Sequence, residues 1–335
     1  MAAKAWGSQQ KAVEEIFFQN DAVSLCLLVN RRAKTMRVVD FRAGPTAAKR
    51  HFVLELAKRE GMEKAYTLVE RDEVSTWVKL GFAKEGTIPG FYKRSDAYLL
   101  GSSVNDPREM REVPMESEIR IAVRGRLAHT LPVSIPSVAE EEEPPEHVEP
   151  GVDAAHARAE KTVLRAKKRA KEAAGRPTPK AVVTPMREAD AKRAVEKALR
   201  TGAALTAFEP FGRDAERRYF TLSCKAAKLG AFELAASTES QSCFGNAFLE
   251  LLGGPKDDLE RGATTACLKA LCDKLLSEGV VSCFALAPSD DELLATAFVA
   301  NGFRRTGLLQ GHMVVRGERK DAILWSRKLA NPADE

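Results

Sequence analysis

Residues Trp77 to Gly90 read WVKLGFAKEGTIPG, a helix-like run that breaks at Gly81-Phe82 and turns again at Gly90. A second stretch, FVANGFRRTGLLQG from Phe298 to Gly311, falls into the same register. Trp77 stands against Phe298, Gly81-Phe82 against Gly302-Phe303, Gly86 against Gly307 and Gly90 against Gly311. The match extends outward from there. Gly44-Pro45-Thr46 lies 17 residues before Gly61, Gly262-Ala263-Thr264 lies 17 before Gly279, and Asp96-Ala97 matches Asp321-Ala322. Glycines recurring at fixed offsets mark backbone turns that need them, so the ordered set predicts one structural unit present twice.

Periodicity fills in that unit. Apolar runs predict strands at Val23–Asn30, Met36–Phe41 and Ala65–Val69, and Phe52, Val53, Leu56 and Ala57 recur at helical spacing within Thr46–Glu60. A short helix over Asp72–Leu80 and strands around Phe82–Ile88 and Ala97–Leu100 complete the first half. The second half repeats the order, with strands at Arg218–Cys224, Ala231–Ala236, Asn246–Leu252, Val280–Leu286, Phe303–Leu309 and Asp321–Trp325. Its helices are expected at Leu259–Ser277, with Leu268, Leu271, Leu275 and Leu276 on one face, and at Asp290–Ala300. Strands alternating with two helices predict a mixed α/β sheet.

Between the halves the composition shifts. Leu131 to Gly151 is acidic and proline-rich and cannot bury much apolar surface, so it reads as an exposed linker. Next comes a polar helical stretch rich in Lys and Arg, then a second polar helix over Arg187–Arg200. Domain one is placed at 1–130, the linker at 131–200 and domain two at 201–332. The basic stretch reads as a solvated spacer able to contact an acidic partner. It lacks the interleaved aromatics of single-strand nucleic-acid binders and an apolar face for a membrane.

The chain has 335 residues, 44% hydrophobic and 30% charged, and a formal net charge of +5, a globular composition too mildly basic to argue for nucleic acid. Six cysteines include no CxxC pair and read as small buried hydrophobes in a reducing, cytoplasmic compartment, with no metal site. The opening MAAKAWGSQQK carries no apolar run of a signal peptide, and no apolar stretch is long enough to span a membrane.

The segment WVKLGFAKEGTIPGFYKRSDAYLLG, Trp77 to Gly101, and the helix ATTACLKAL, Ala263 to Leu271, resemble the GNAT superfamily of acyl-CoA-dependent N-acyltransferases. The resemblance covers about 36–101 and 246–326. It implies two GNAT-like mixed-sheet domains, the first truncated because only about 20 residues precede Val23, joined by the charged, partly helical linker. It further implies a sheet splayed open to hold acetyl-CoA, and an amine as acyl acceptor.

The family cradles the CoA pyrophosphate on a Q/R-x-x-G-x-G/A loop that opens a helix, where backbone N–H groups and the helix dipole face the phosphates. The matching residues are Leu259, Gly262 and Thr264. The resemblance therefore assigns cofactor binding to Arg261, Gly262, Ala263, Thr264 and Thr265. It assigns the general base to Glu250, on the strand NAFLELL. The chain departs from the pattern in four places. Trp77 and Phe298 stand where relatives place a proton-donating tyrosine, and Glu70 and Asp291 where they place an asparagine. His312 reads as a surface histidine. Two functions follow: an N-acetyltransferase with any activity in the C-terminal domain, or a catalytically degenerate pair of domains acting as a regulatory protein-binding scaffold.

Overall fold

In the computed structural model, the described residues are 13–19, 24–40, 46–92, 95–108, 150–175, 177–212, 215–226, 229–240 and 245–330. The acidic segment from Leu131 to Glu149, the early part of the expected linker, lies outside them, as do Gly44, His129 and Cys243.

The N-terminal half contributes β1 (Val13–Gln19), β2 (Ser24–Asn30), β3 (Thr35–Asp40), α1 (Ala47–Arg59), β4 (Lys64–Val69), a 3-10 turn (Arg71–Glu73), α2 (Val74–Lys79), β5 (Ala83–Ile88) and β6 (Ala97–Ser103). The C-terminal half contributes α3 (Pro150–Ala173), β7 (Ala181–Met186), α4 (Glu188–Arg200), β8 (Glu216–Ala226), β9 (Gly230–Ser240), β10 (Asn246–Leu251), α5 (Asp258–Ser277), β11 (Ser282–Pro288), α6 (Glu292–Ala300), β12 (Arg304–Val315) and β13 (Glu318–Lys328). All thirteen strands form one mixed sheet, ordered β1-β2-β3-β4-β6-β5-β12-β13-β11-β10-β9-β8-β7. Read from either edge, each half runs antiparallel strands into one parallel pair, β3/β4 or β10/β11, and then an antiparallel pair ending at the joint.

The Gly-Phe pairs occupy equivalent junctions. Gly81 and Gly302 sit at φ +84° and +76°, each one residue past the C-cap of α2 or α6. The left-handed backbone there ends the helix at little steric cost only for glycine. Phe82 and Phe303 then fold back, packing edge-on against Trp77 (4.8 Å) and Phe298 (5.0 Å). The joint itself is made of glycine as well: β5 and β12 pair antiparallel at Gly86 and Gly307, where a Cβ on Gly307 would stand 2.6 Å from the Glu85 carbonyl oxygen.

Helices and cores lie in layers. α1 and α2 cover one N-terminal core around Val53, Leu56, Trp77 and Phe82. α3, α5 and α6 cover a C-terminal core around Leu268, Leu271, Phe298 and Trp325. A third core brings the halves together: Tyr66, Leu68, Phe91 and Leu99 pack with Phe211, Phe248, Phe284 and Leu324. Polar ties reinforce that contact. Asn246 Nδ2 donates to the Phe91 carbonyl (2.6 Å), Lys64 Nζ to the Gln310 carbonyl (2.5 Å), and Arg319 pairs with Glu63 (2.5 Å).

Three expectations need correction. The later part of the expected linker, residues 150–200, is not a solvated spacer: Ala155, Ala159, Val163 and Ala166 of α3 are buried in the C-terminal core, β7 pairs with β8, and Ala191 and Val195 of α4 are buried. Small apolar residues at helical spacing bury a helix face without any large side chain to announce it. Strands β1 and β7, whose alternating burial patterns mark half-buried sheet edges, were also missed. Finally, Leu276 points outward at 42% exposure, while Leu268, Leu271 and Leu275 are fully buried.

Candidate functional site

The parallel pair β10/β11 is the irregular point of the C-terminal half. Its register runs from Asn246/Ser282 to Leu249/Ala285 and stops there, although β10 continues to Leu251 and β11 to Pro288. Beyond that point the strands part. On one face of the parting lies a small cavity of about 80 Å³ at the seam between the halves, open to solvent. Its floor is apolar, from Phe211, Phe248 and Leu286, while Glu250, His312 and Tyr66 bring polar groups to it.

Glu250 was the expected base, and the structure places it in this cavity wall. Its carboxylate is heavily engaged. It accepts from Thr206 Oγ1, from Arg217 Nη1 and from Ser237 Oγ at 3.0 Å. Arg217 also donates to Glu239 at 2.5 Å and to the Ser237 hydroxyl at 2.8 Å, making one buried network. Burial pushes the Glu250 carboxyl above its usual range despite the opposing pull of Arg217. A raised pKa suits a base, but protonating this carboxylate first requires weakening its ion pair. Glu209, which accepts from Arg32 at 3.1 Å, joins the two halves across the cavity.

His312 is buried, not a surface histidine, and its Nδ1 has no hydrogen-bond partner among the described residues. Burial, then the charges of Lys64 and Arg319, holds the imidazole neutral, well below its ordinary pKa. The ring meets Tyr66 edge-on at 4.8 Å, and burial pushes the Tyr66 phenol up to about 12. Neither group titrates near neutrality, so both offer hydrogen bonds rather than charge.

The expected phosphate cradle is displaced. Arg261, Gly262, Ala263, Thr264 and Thr265 do not form a loop; they lie inside α5, which starts at Asp258. Ala263 and Thr264 are buried, Thr265 Oγ1 donates back to the Arg261 carbonyl at 2.8 Å, and Arg261 pairs with Asp258 at 2.9 Å. The loop that meets the helix is Gly253 to Asp257, one turn earlier. There three N–H groups have carboxylate partners. Asp257 Oδ1 accepts from Leu259 N and Glu260 N, both at 2.9 Å, and Glu260 Oε2 accepts from Lys256 N at 2.9 Å. A carboxylate N-cap is a strong helix start, and it occupies the donors a phosphate would use.

The other expected positions are structural. Asp291 caps α6, accepting from Leu294 N at 2.8 Å, and lies so close to Gly254 that a Cβ there would stand 2.8 Å from its Oδ2. Glu70 is exposed at the start of the 3-10 turn. Trp77 and Phe298 are each 1% exposed, and Phe298 stacks on Trp325 at 5.6 Å. Among the described residues no His, Cys, Asp and Glu cluster holds metal-ligand geometry, and no helix is long and apolar enough to cross a membrane.

Sequence reasoning missed Tyr66, Arg217 and Asp257. Tyr66 and Arg217 reach the site only through the packing of strands distant in sequence. Asp257 carried a readable signal, since Asp-x-x-Glu before an apolar helical run is a capping pattern.

No known family model matches the chain, and no curated protein matches it. Solved structures that it resembles include acetyltransferases. Ribosomal-protein-S18-alanine N-acetyltransferase from Escherichia coli shares 16% identity, with 46% of this chain and 97% of that one covered at a TM-score of 0.31. Spermidine N-acetyltransferase from Vibrio cholerae, in complex with CoA and spermine, shares 10% over 45% and 96% of the two chains at 0.35. Ribosomal-protein-S5-alanine acetyltransferase from Vibrio fischeri shares 15% over 47% and 97% at 0.34. Each likeness spans less than half of this chain.

Proposed function

We propose that the chain is an acyl-CoA-dependent N-acyltransferase of GNAT type, with any transfer confined to its C-terminal half. The observation that carries this reading is the parting of β10 and β11 beside a cavity that holds a buried carboxylate, Glu250. On this reading acetyl-CoA enters the parting and an amine occupies the seam cavity. The unit that does the work spans β7 to β13 and starts ahead of residue 201. The N-terminal half is a second, shortened unit of the same kind that walls the acceptor side through Tyr66 and Arg32. Glu250 would take the amine proton after Arg217 yields; α5 would hold the phosphates only if Asp257 released its N–H groups. Cytoplasmic residence belongs to the same proposal.

The test is acetyl-CoA titration into the full chain by calorimetry, with thiol release measured against polyamines, amino acids and peptides. Weak binding and turnover far below the ~10 s⁻¹ of ordinary enzymes are expected. Tight binding with ordinary turnover would contradict the engaged state of Glu250 and Asp257, and absence of both would remove the enzyme reading. A second reading, a regulatory scaffold that keeps the fold without the chemistry, is favoured by one observation: the protein's own carboxylates fill the α5 N-terminus. On that reading the exposed cations of α3 are the first place to seek an acidic protein partner.

A further inference from the structure

We infer that α3 is a strap that closes off the N-terminus of α5, the end of the proposed site where the phosphates would lie. The inference rests on the acyl-CoA reading above and concerns the regulation of that site. α3 runs along α6 in the opposite direction. Near its start His156 Nδ1 meets Arg305 at 3.0 Å, just past the end of α6. Near its end Arg165 and Arg169 reach Glu292 in the first turn of α6, at 3.6 and 2.5 Å. Arg169 also reaches Asp258 in the first turn of α5, at 3.4 Å. One side chain thus bridges the N-termini of α5 and α6, and the first of these is where the acyl-CoA reading puts the phosphates.

The cleft left under α3 is lined by Arg165, Lys168, Arg169 and Arg261, faced by Glu172, Asp258 and Glu292. Its cations are largely spent on its carboxylates, so a phosphate entering it must first separate ion pairs. Ala155, Ala159, Val163 and Ala166 are buried, but such small side chains remove little apolar surface from water. Arg165 and Arg169 keep 58% and 43% of their side chains exposed, so salt screens their pairs. A helix held by a shallow apolar seam and screened ion pairs can lift while the sheet beneath stays folded.

Two sets of variants in the full chain test this. Ala159→Leu overfills the seam without altering charge, and Arg165→Gln with Arg169→Gln removes the bridge without adding negative charge. Hydrogen exchange across residues 154–173 reports lifting of α3, exchange in α5 reports the fold, and calorimetry reports acetyl-CoA affinity. Faster exchange in α3 with α5 unchanged is expected in both sets, together with tighter acetyl-CoA binding. If the wild type is open about one-tenth of the time, the gain is about tenfold. Faster α3 exchange with unchanged or weaker acetyl-CoA binding overturns the strap while leaving the acyl-CoA reading intact if the wild type binds. Unchanged α3 exchange in both sets overturns it as well. No acetyl-CoA binding by the wild type or any variant removes the strap and the acyl-CoA reading together.

Discussion

The joint between the halves yields the most direct prediction. β5 and β12 meet at Gly86 and Gly307, and a Cβ on Gly307 would lie 2.5 Å from Gly86 Cα and 2.6 Å from the Glu85 carbonyl oxygen. Both neighbours are backbone, so no side chain can swing aside. Carbon atoms rest about 3.5–4.0 Å apart, so Gly307→Ala must drive the strands apart by about 1 Å. The ties that depend on this approach, Lys64 to the Gln310 carbonyl and Arg319 to Glu63, loosen with it. Overpacking typically costs about 1–3 kcal/mol, and a clash confined to backbone belongs at or above the top of that range. Gly262→Ala is the control. Nothing lies within 4 Å of its added methyl, and it sits inside α5, so it should stabilise by about 0.5–1 kcal/mol. Urea unfolding followed by far-UV circular dichroism and tryptophan fluorescence measures both, since Trp77 and Trp325 report on opposite halves. A Gly307→Ala protein within about 0.5 kcal/mol of wild type, the range of an ordinary surface change, would refute the argument that the halves are locked through this glycine contact.

Three other outcomes are expected. Arg217→Met leaves Glu239 and Glu250 buried without their shared cation and should cost about 3–5 kcal/mol, read as a lower urea midpoint; a near-neutral result would show that the network carries little. His312 has a depressed folded-state pKa, so the unfolded chain takes up a proton near the ordinary histidine value while the folded chain does not. Stability contributed by keeping it neutral is therefore complete above about pH 6.5 and falls as the pH drops below it, by at most about 1.4 kcal/mol per pH unit. His312→Gln should flatten the wild-type loss between pH 7.5 and 5.5, and parallel profiles would contradict the burial argument. Asp257→Ala should cost about 1 kcal/mol by removing the N-cap of α5 while freeing the Leu259 and Glu260 N–H groups. If acetyl-CoA binding does not improve in that variant, the α5 N-terminus is not where its phosphates go.

Local chemistry made much of the architecture legible from sequence. Each Gly-Phe junction is a short-range device: a glycine with positive φ ends a helix and the next aromatic folds back onto it, so Gly81-Phe82 and Gly302-Phe303 could be read from neighbours alone. The long helices, and the strands of each half other than the edge strands β1 and β7, followed from apolar periodicity in the same way. α3 was misread because alanine gives almost no periodic signal, although at 155, 159 and 166 it is the residue small enough to let the helix lie close against α6.

The candidate site was legible only in part. Glu250 could be placed on its strand from the sequence, but its engagement with Thr206, Arg217 and Ser237 depends on two neighbouring strands and a loop whose spatial order no local pattern specifies. The phosphate cradle was shifted because Gly262 matched a motif, whereas the helix start is fixed by the side chain of Asp257, which satisfies the first N–H groups a turn earlier. The seam cavity was invisible in the sequence: Tyr66 and His312 lie in opposite halves of the chain. They meet because the Gly86–Gly307 contact joins two half-sheets whose aromatic faces then bury each other. Short-range sterics and periodicity set the elements, while the burial of one half against the other decided which polar groups share a cavity and which are already bound to each other.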